Sequence, residues 1–138
     1  MPPSRPPRYS PLLLFVDSAA ASRGATAHAA ALALATGATV AILAVMNTGG
    51  ELAFTPEAAA LYTRLRLVAQ TAIEEASATV RGAGVLLVEH LIMDGVPHIG
   101  ILEVAGELDA GMIVLHAASP AAPAVLQAAS CPVLLTPS

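Results

Sequence analysis

The side chains that could do chemistry in this sequence are a few histidines, acids and serines. His98 and His116, with Asp17 and Asp94, are the candidate metal ligands, since neutral imidazole and carboxylate both suit divalent cations. Their spacing matches no zinc signature, and a histidine at a strand end is commonly a hydrogen-bonded structural residue. No metal is therefore expected; a metal or small-ligand site on His98 and His116 stands as an alternative. Ser18, Ser119 and Ser130 lack the Gly-x-Ser-x-Gly elbow that would expose a nucleophile. Glu74 and Glu75 are adjacent on a helix and so diverge around it, which makes a solvated face rather than an acid–base pair. Cys131, the single cysteine, lies in an apolar run without nearby positive charge and reads as a buried small hydrophobe. No catalytic constellation emerges, so the chain is not expected to be an enzyme.

Charge and hydropathy exclude other classes. The six basic residues are all arginine and the formal net charge is −4. Without a basic stripe to neutralise phosphates, nucleic acid is not an expected partner. The charge-free stretch Ala29–Met46 has the length of a membrane helix. Thr36, Gly37 and Thr39 punctuate it, however, and a helix, a turn and a buried strand account for it better. Leu12–Val16 is too short for a signal-peptide core and Asp17 interrupts it. The expected location is the cytoplasm, away from membranes.

The elements that must position these side chains follow from periodicity. Residues 1–11 hold five prolines and two arginines and read as a mobile, extended arm; residues 12–138 form one domain. Leu12–Val16 is a buried strand running into a helix over Ala19–Thr36, with Asp17 and Ser18 as capping residues and Gly37 as the stop. Thr39–Met46 is a second strand. Thr55 caps a long helix opened by Pro56, with Leu61, Leu65, Val68, Ala72, Ala76 and Val80 on its inner face. Val85–Ile92, a helix from Pro97, Met112–His116, a short helix over Ala124–Ala129 and Pro132–Leu135 complete the chain. Apolar strands alternating with amphipathic helices predict an α/β domain, with a doubly wound parallel sheet covered by helices on both faces.

Three segments carry a family resemblance. Leu13-Leu14-Phe15-Val16-Asp17-Ser18 resembles the opening of universal stress proteins, where a strand ends in Asp-Gly-Ser. Gly95-Val96-Pro97 through Ala105, followed by Met112–Leu115, is similar to that family's third helix and fourth strand, and Cys131-Pro132-Val133-Leu134-Leu135 to its closing strand. The order and spacing of these segments cover Leu12 to Leu135. The resemblance implies a five-stranded Rossmann-like sheet in the order 3-2-1-4-5. It also implies homodimers made through the last strand, which places Val133, Leu134 and Leu135 at the dimer interface.

The same resemblance locates a departure. ATP-binding members carry Gly-x-x-Gly and then Gly-Ser or Gly-Thr after the fourth strand, because glycines let backbone amides approach phosphates. Here the stretch is Ala117 to Ala124, without glycine, and Pro120 and Pro123 remove two amide donors. His116 stands at the strand-ending glycine, and Ser119 falls in the degenerate loop. Asp17 and Val45 match the family's adenine contacts, although Asp17 is also a helix cap and Val45 a core residue. The expected protein is thus a stress-response homodimer that associates with an unnamed protein partner and holds no cofactor. The alternative is an AMP- or ATP-binding switch, with weak ATPase, using the remnant adenosine pocket.

Overall fold

The computed structural model describes residues 8–49 and 55–137. Its elements run β1 (Leu12–Phe15), α1 (Arg23–Thr36), β2 (Val40–Met46), α2 (Pro56–Gly82), β3 (Leu87–Asp94), α3 (Pro97–Leu108), β4 (Met112–His116), α4 (Ala122–Ala128) and β5 (Val133–Thr136). All five strands are parallel, in the order β3-β2-β1-β4-β5. The doubly wound sheet expected from the sequence is the observed one. Among the described residues no helix is long and apolar enough to cross a membrane.

Strand alternation divides the core in two. Leu12, Leu14 and Val16 point to the face covered by α1 and α2, together with Val40, Ile42 and Val114. Leu13 and Phe15 point to the face covered by α3 and α4, with Leu43, Ile113 and Leu115. The helix residues that meet the first face are Ala25, Ala29 and Ala33 of α1 and Ala69, Ala72 and Ala76 of α2. With so few aromatics, small side chains let helix and sheet approach closely enough to pack densely. Each fully buried leucine or phenylalanine contributes about 1.5–3 kcal/mol relative to exposure.

Several element boundaries differ from the sequence expectation, among them α4, which runs from Ala122 to Ala128 and not from Ala124 to Ala129. α1 starts at Arg23, behind the N-cap Ser22, not at Ala19. Ser18 closes a preceding turn instead: its Oγ accepts from Ala21 N–H (3.2 Å) and its carbonyl from Ser22 N–H (3.1 Å). Asp17 does not cap the helix, because its carboxylate is directed elsewhere. β3 begins at Leu87 rather than Val85. The inner stripe of α2 is buried only from Ala69 onward, while Leu61 and Val68 are exposed. At 27 residues α2 is about 40 Å long, and its first half is mostly exposed, with Leu65 alone among its stripe reaching the core.

Thr55 caps α2 as the sequence implied, its Oγ1 accepting from Ala58 N–H (3.1 Å). Arg23 at the start of α1 donates from Nε to Glu75 of α2 (2.7 Å). This hydrogen bond, reinforced by the carboxylate's charge, raises the arginine's pKa further. The pair is exposed and adds little stability.

Residues 1–7 of the proline-rich arm lie outside the described residues. Its last residues, Arg8–Pro11, lie along the amino edge of the sheet. Ser10 Oγ accepts from Thr39 N–H (3.1 Å) and the Pro11 carbonyl from Gly111 N–H (2.9 Å).

Candidate functional site

From β1 the chain crosses to β2 on one side, while β4 flanks β1 on the other. The carboxyl ends of β1 and β4 therefore frame the point where the direction of winding reverses, where open α/β sheets bind ligands. Asp17 follows β1 and His116 ends β4.

These two side chains meet. His116 Nε2 is paired with Asp17 Oδ2, and the side-chain exposures are 6% and 28%. The low value means that the imidazole fills the switch point and does not project from it. Asp17 is held from behind, its own N–H donating to Ser22 Oγ (2.9 Å). The register places His116 beside Thr136 of β5. His116 Nδ1 and Thr136 Oγ1 are buried, and neither has a hydrogen-bond partner among the described residues. Sequence reasoning singled out Asp17 and His116 separately but overlooked Ser22 and Thr136. The available signal was a polar residue closing an otherwise apolar strand.

The loop after β4 is tied to itself. Ala117 N–H donates to the Thr136 carbonyl (2.7 Å) and Ser119 N–H to the His116 carbonyl (3.1 Å). Ala122 N–H donates to the Ser119 carbonyl (3.0 Å), and Ala121 N–H to Ser119 Oγ (3.3 Å). Ser119 is thus a buried turn residue, with 3% of its surface exposed. Pro120 and Pro123 have no N–H to give. In this stretch only the amides of Ala118 and Ala124 are left without an assigned acceptor. A triphosphate held by backbone needs several convergent free amides, and this loop does not fit one.

Val45 is partly buried in the α3–α4 side of the core. Its Cγ2 would lie 3.1 Å from a Cβ on Gly100. A side chain at Gly100 would press on this methyl, so α3 and β2 pack closely here and Val45 lies in their contact. His98 lies in the first turn of α3 and His90 on β3. The carboxylate of Asp94 is engaged by Thr48 Oγ1 (2.8 Å). Among the described residues no group of three histidine, cysteine or acidic side chains is arranged to hold a metal ion. Burial pushes the Cys131 thiol pKa up, away from a reactive thiolate.

Val133, Leu134 and Leu135 lie on β5, an outer strand, and all three are partly buried. Leu134 packs toward the α1–α2 core, and Val133 and Leu135 toward the other.

The universal stress protein family matches residues 8–137 of the chain. No curated protein sequence matches it. Three solved structures show the likeness in shape. A universal stress protein in complex with cAMP is 19% identical, with a TM-score of 0.75 over 93% of this chain and 97% of that one. Universal stress protein UspA from Lactobacillus plantarum is 25% identical (TM-score 0.72, 94% and 98% covered). The Archaeoglobus fulgidus universal stress protein in complex with dAMP is 24% identical (TM-score 0.71, 93% and 98% covered). With the family matched from the arm's last residues to the end of β5, and the sheet order shared, this chain belongs to the universal stress protein family.

Proposed function

We propose that this protein is a non-catalytic universal stress protein, cytoplasmic and homodimeric, that acts by protein association and not by tight ATP binding. The observation that carries the proposal is the Asp17–His116 pair. The carboxylate available to an adenosine is held by the protein's own imidazole, at the point where a ligand would enter. The self-bonded loop from Ala117 to Ala122 supports the same reading, because it has few amides to offer phosphates.

The two outer strands support dimerisation through β5. β3 carries a bulge opposite Val40 and Ala41 and exposes Glu89 and His90, features that blunt an edge. β5 is Val-Leu-Leu-Thr, with neither charge nor bulge to protect it. Pairing with a second β5 would satisfy its free backbone groups.

Calorimetric titration with ATP and magnesium tests the proposal. No saturable heat is expected at concentrations up to the millimolar range. Binding that weakens sharply when ATP is replaced by AMP would overturn it.

A second reading, an adenine-nucleotide switch, is favoured by the neighbours described with cAMP, dAMP and AMP. A monophosphate asks less of the loop than a triphosphate. On that reading His116 swings aside and AMP binds about as well as ATP, with Asp17→Ala abolishing both.

A further inference from the structure

Two buried polar atoms without a partner lie side by side in this fold. The register sets His116 of β4 beside Thr136 of β5. Val114 and Leu134, two residues before each, both pack toward the α1–α2 core. By strand alternation His116 and Thr136 therefore point to that same face. Neighbouring strands lie about 4.8 Å apart, close enough for one hydrogen bond between such side chains. Yet His116 Nδ1 and Thr136 Oγ1 each stand unbonded among the described residues. β4 is placed between β1 and β5. Asp17, which follows β1, thus reaches the imidazole from one side at Nε2, and Thr136 flanks it on the other.

Solvent does not serve these atoms. His116 is 5% exposed and Thr136 2%. α1 lies over the end of β5, where a Cβ on Gly24 would come within 2.9 Å of the Pro137 carbonyl oxygen. An unmade hydrogen bond at each buried atom destabilises the fold. One rotation about the Thr136 Cα–Cβ bond, into another staggered position, gives both atoms a partner. The other buried hydroxyls are engaged or distant. Ser22 Oγ accepts from Asp17 N–H, and Thr26 Oγ1 donates to the Ser22 carbonyl (2.8 Å). Ser119 Oγ accepts within its own turn. Ser77 lies near the end of α2, which leads to the amino end of β3.

We propose that Thr136 is a positioning residue for the switch point: its hydroxyl donates to His116 Nδ1 and so keeps the ring proton on Nε2, facing Asp17. An acid, an imidazole and a hydroxyl in a row also make up a nucleophilic triad. Thr136 Oγ1 is too deeply buried to meet a substrate, so this row holds the imidazole in place and does not react. It runs from β5 across β4 to the end of β1, and it ties closure of the switch point to the outer strand. Its effect on nucleotide rests on the reading that the Asp17–His116 pair excludes adenosine; the hydrogen bond itself does not.

Nitrogen-15 NMR of the imidazole rings in the full chain reads this bond directly. The His116 signals are those lost in His116→Phe. Nδ1 is expected to be an unprotonated acceptor and Nε2 to carry the proton. Thr136→Val keeps the shape and removes the hydroxyl, and it should move the Nδ1 signal toward that of an unbonded ring nitrogen. Thr136→Ser should restore it. A proton on Nδ1 in the unsubstituted chain would overturn the proposal before any variant is made. So would an Nδ1 signal that the valine leaves in place or the serine fails to restore. AMP titration by calorimetry gives the second readout. Thr136→Val should bind AMP about two- to tenfold more tightly, the range that losing one hydrogen bond supplies. It should add nothing in a His116→Gly background, because Thr136 acts through His116. An unchanged affinity in the single variant, or a gain that persists in that background, would refute the positioning role. Tight ATP binding by the unsubstituted protein would defeat the proposed function and leave the nitrogen signals, and with them this hydrogen bond, standing.

Discussion

Asp17 and His116 lie 99 positions apart in the chain and are brought into contact by the parallel pairing of β1 with β4. Removing one member strands the other. Asp17→Ala leaves a nearly buried imidazole nitrogen without an acceptor, which should lower stability by about 1–3 kcal/mol in urea unfolding. His116→Phe leaves a carboxylate that still reaches water and should cost less. The double variant should be more stable than the sum of the single effects implies, by a coupling of at least about 0.5 kcal/mol. Additive effects would mean the contact contributes nothing.

His116→Gly tests whether the imidazole is what closes the adenosine pocket. Glycine is the residue the family resemblance implies at this strand end, and its introduction frees the Asp17 carboxylate. AMP affinity by calorimetry should rise at least about tenfold over the unsubstituted protein, which corresponds to roughly 1.4 kcal/mol. ATP should gain no more than AMP, because the loop from Ala117 to Ala122 remains tied to itself. If neither nucleotide binds better, the pocket is closed by something other than His116.

The outer strands should behave differently toward charge. Val133→Asp or Leu135→Asp, on β5, is expected to yield a monomer in light scattering. Val88→Asp, on β3 beside the bulge, should leave the dimer intact. An unchanged dimer in the β5 variants, or a monomer in the β3 variant, would put the interface elsewhere.

Gly111→Ala tests the crossing of the arm at the amino edge. Its new Cβ would meet backbone atoms of Arg8 and Tyr9, which cannot rotate away as a side chain would. Either β4 or the entering chain must shift, at a cost of about 1–3 kcal/mol. Thermal unfolding should register the loss. An unshifted melting curve would mean that Arg8 and Tyr9 do not press on Gly111 in solution.

What was legible in the sequence were features written in short windows. Thr55-Pro56 announces the start of α2, Gly37 the end of α1, and the apolar runs the strands of a parallel sheet. What the windows do not carry is register between strands distant in sequence. Asp17 reads as a helix cap because Asp before a helix usually is one; only the pairing of β1 with β4 gives its carboxylate a better partner. Likewise Leu61 and Val68 continue the period of Ala72, Ala76 and Val80. Period alone does not reveal where the sheet beneath a helix ends.

Cys131 provides a test by pH. Desolvation favours the neutral thiol in the folded chain and raises its pKa from the ordinary 9.0; a hydrogen bond to the backbone opposes this and does not cancel it. Alkylation proceeds through the thiolate. The pH of half-maximal rate should therefore lie higher in the folded protein than in the same chain unfolded in urea. The corresponding stability is fully present below the unfolded-state pKa and is lost as pH rises through the folded one. Because the side chain is only partly buried, this contribution is small. A folded profile centred at or below the unfolded one would contradict the burial of this thiol between the carboxyl ends of α3 and α4.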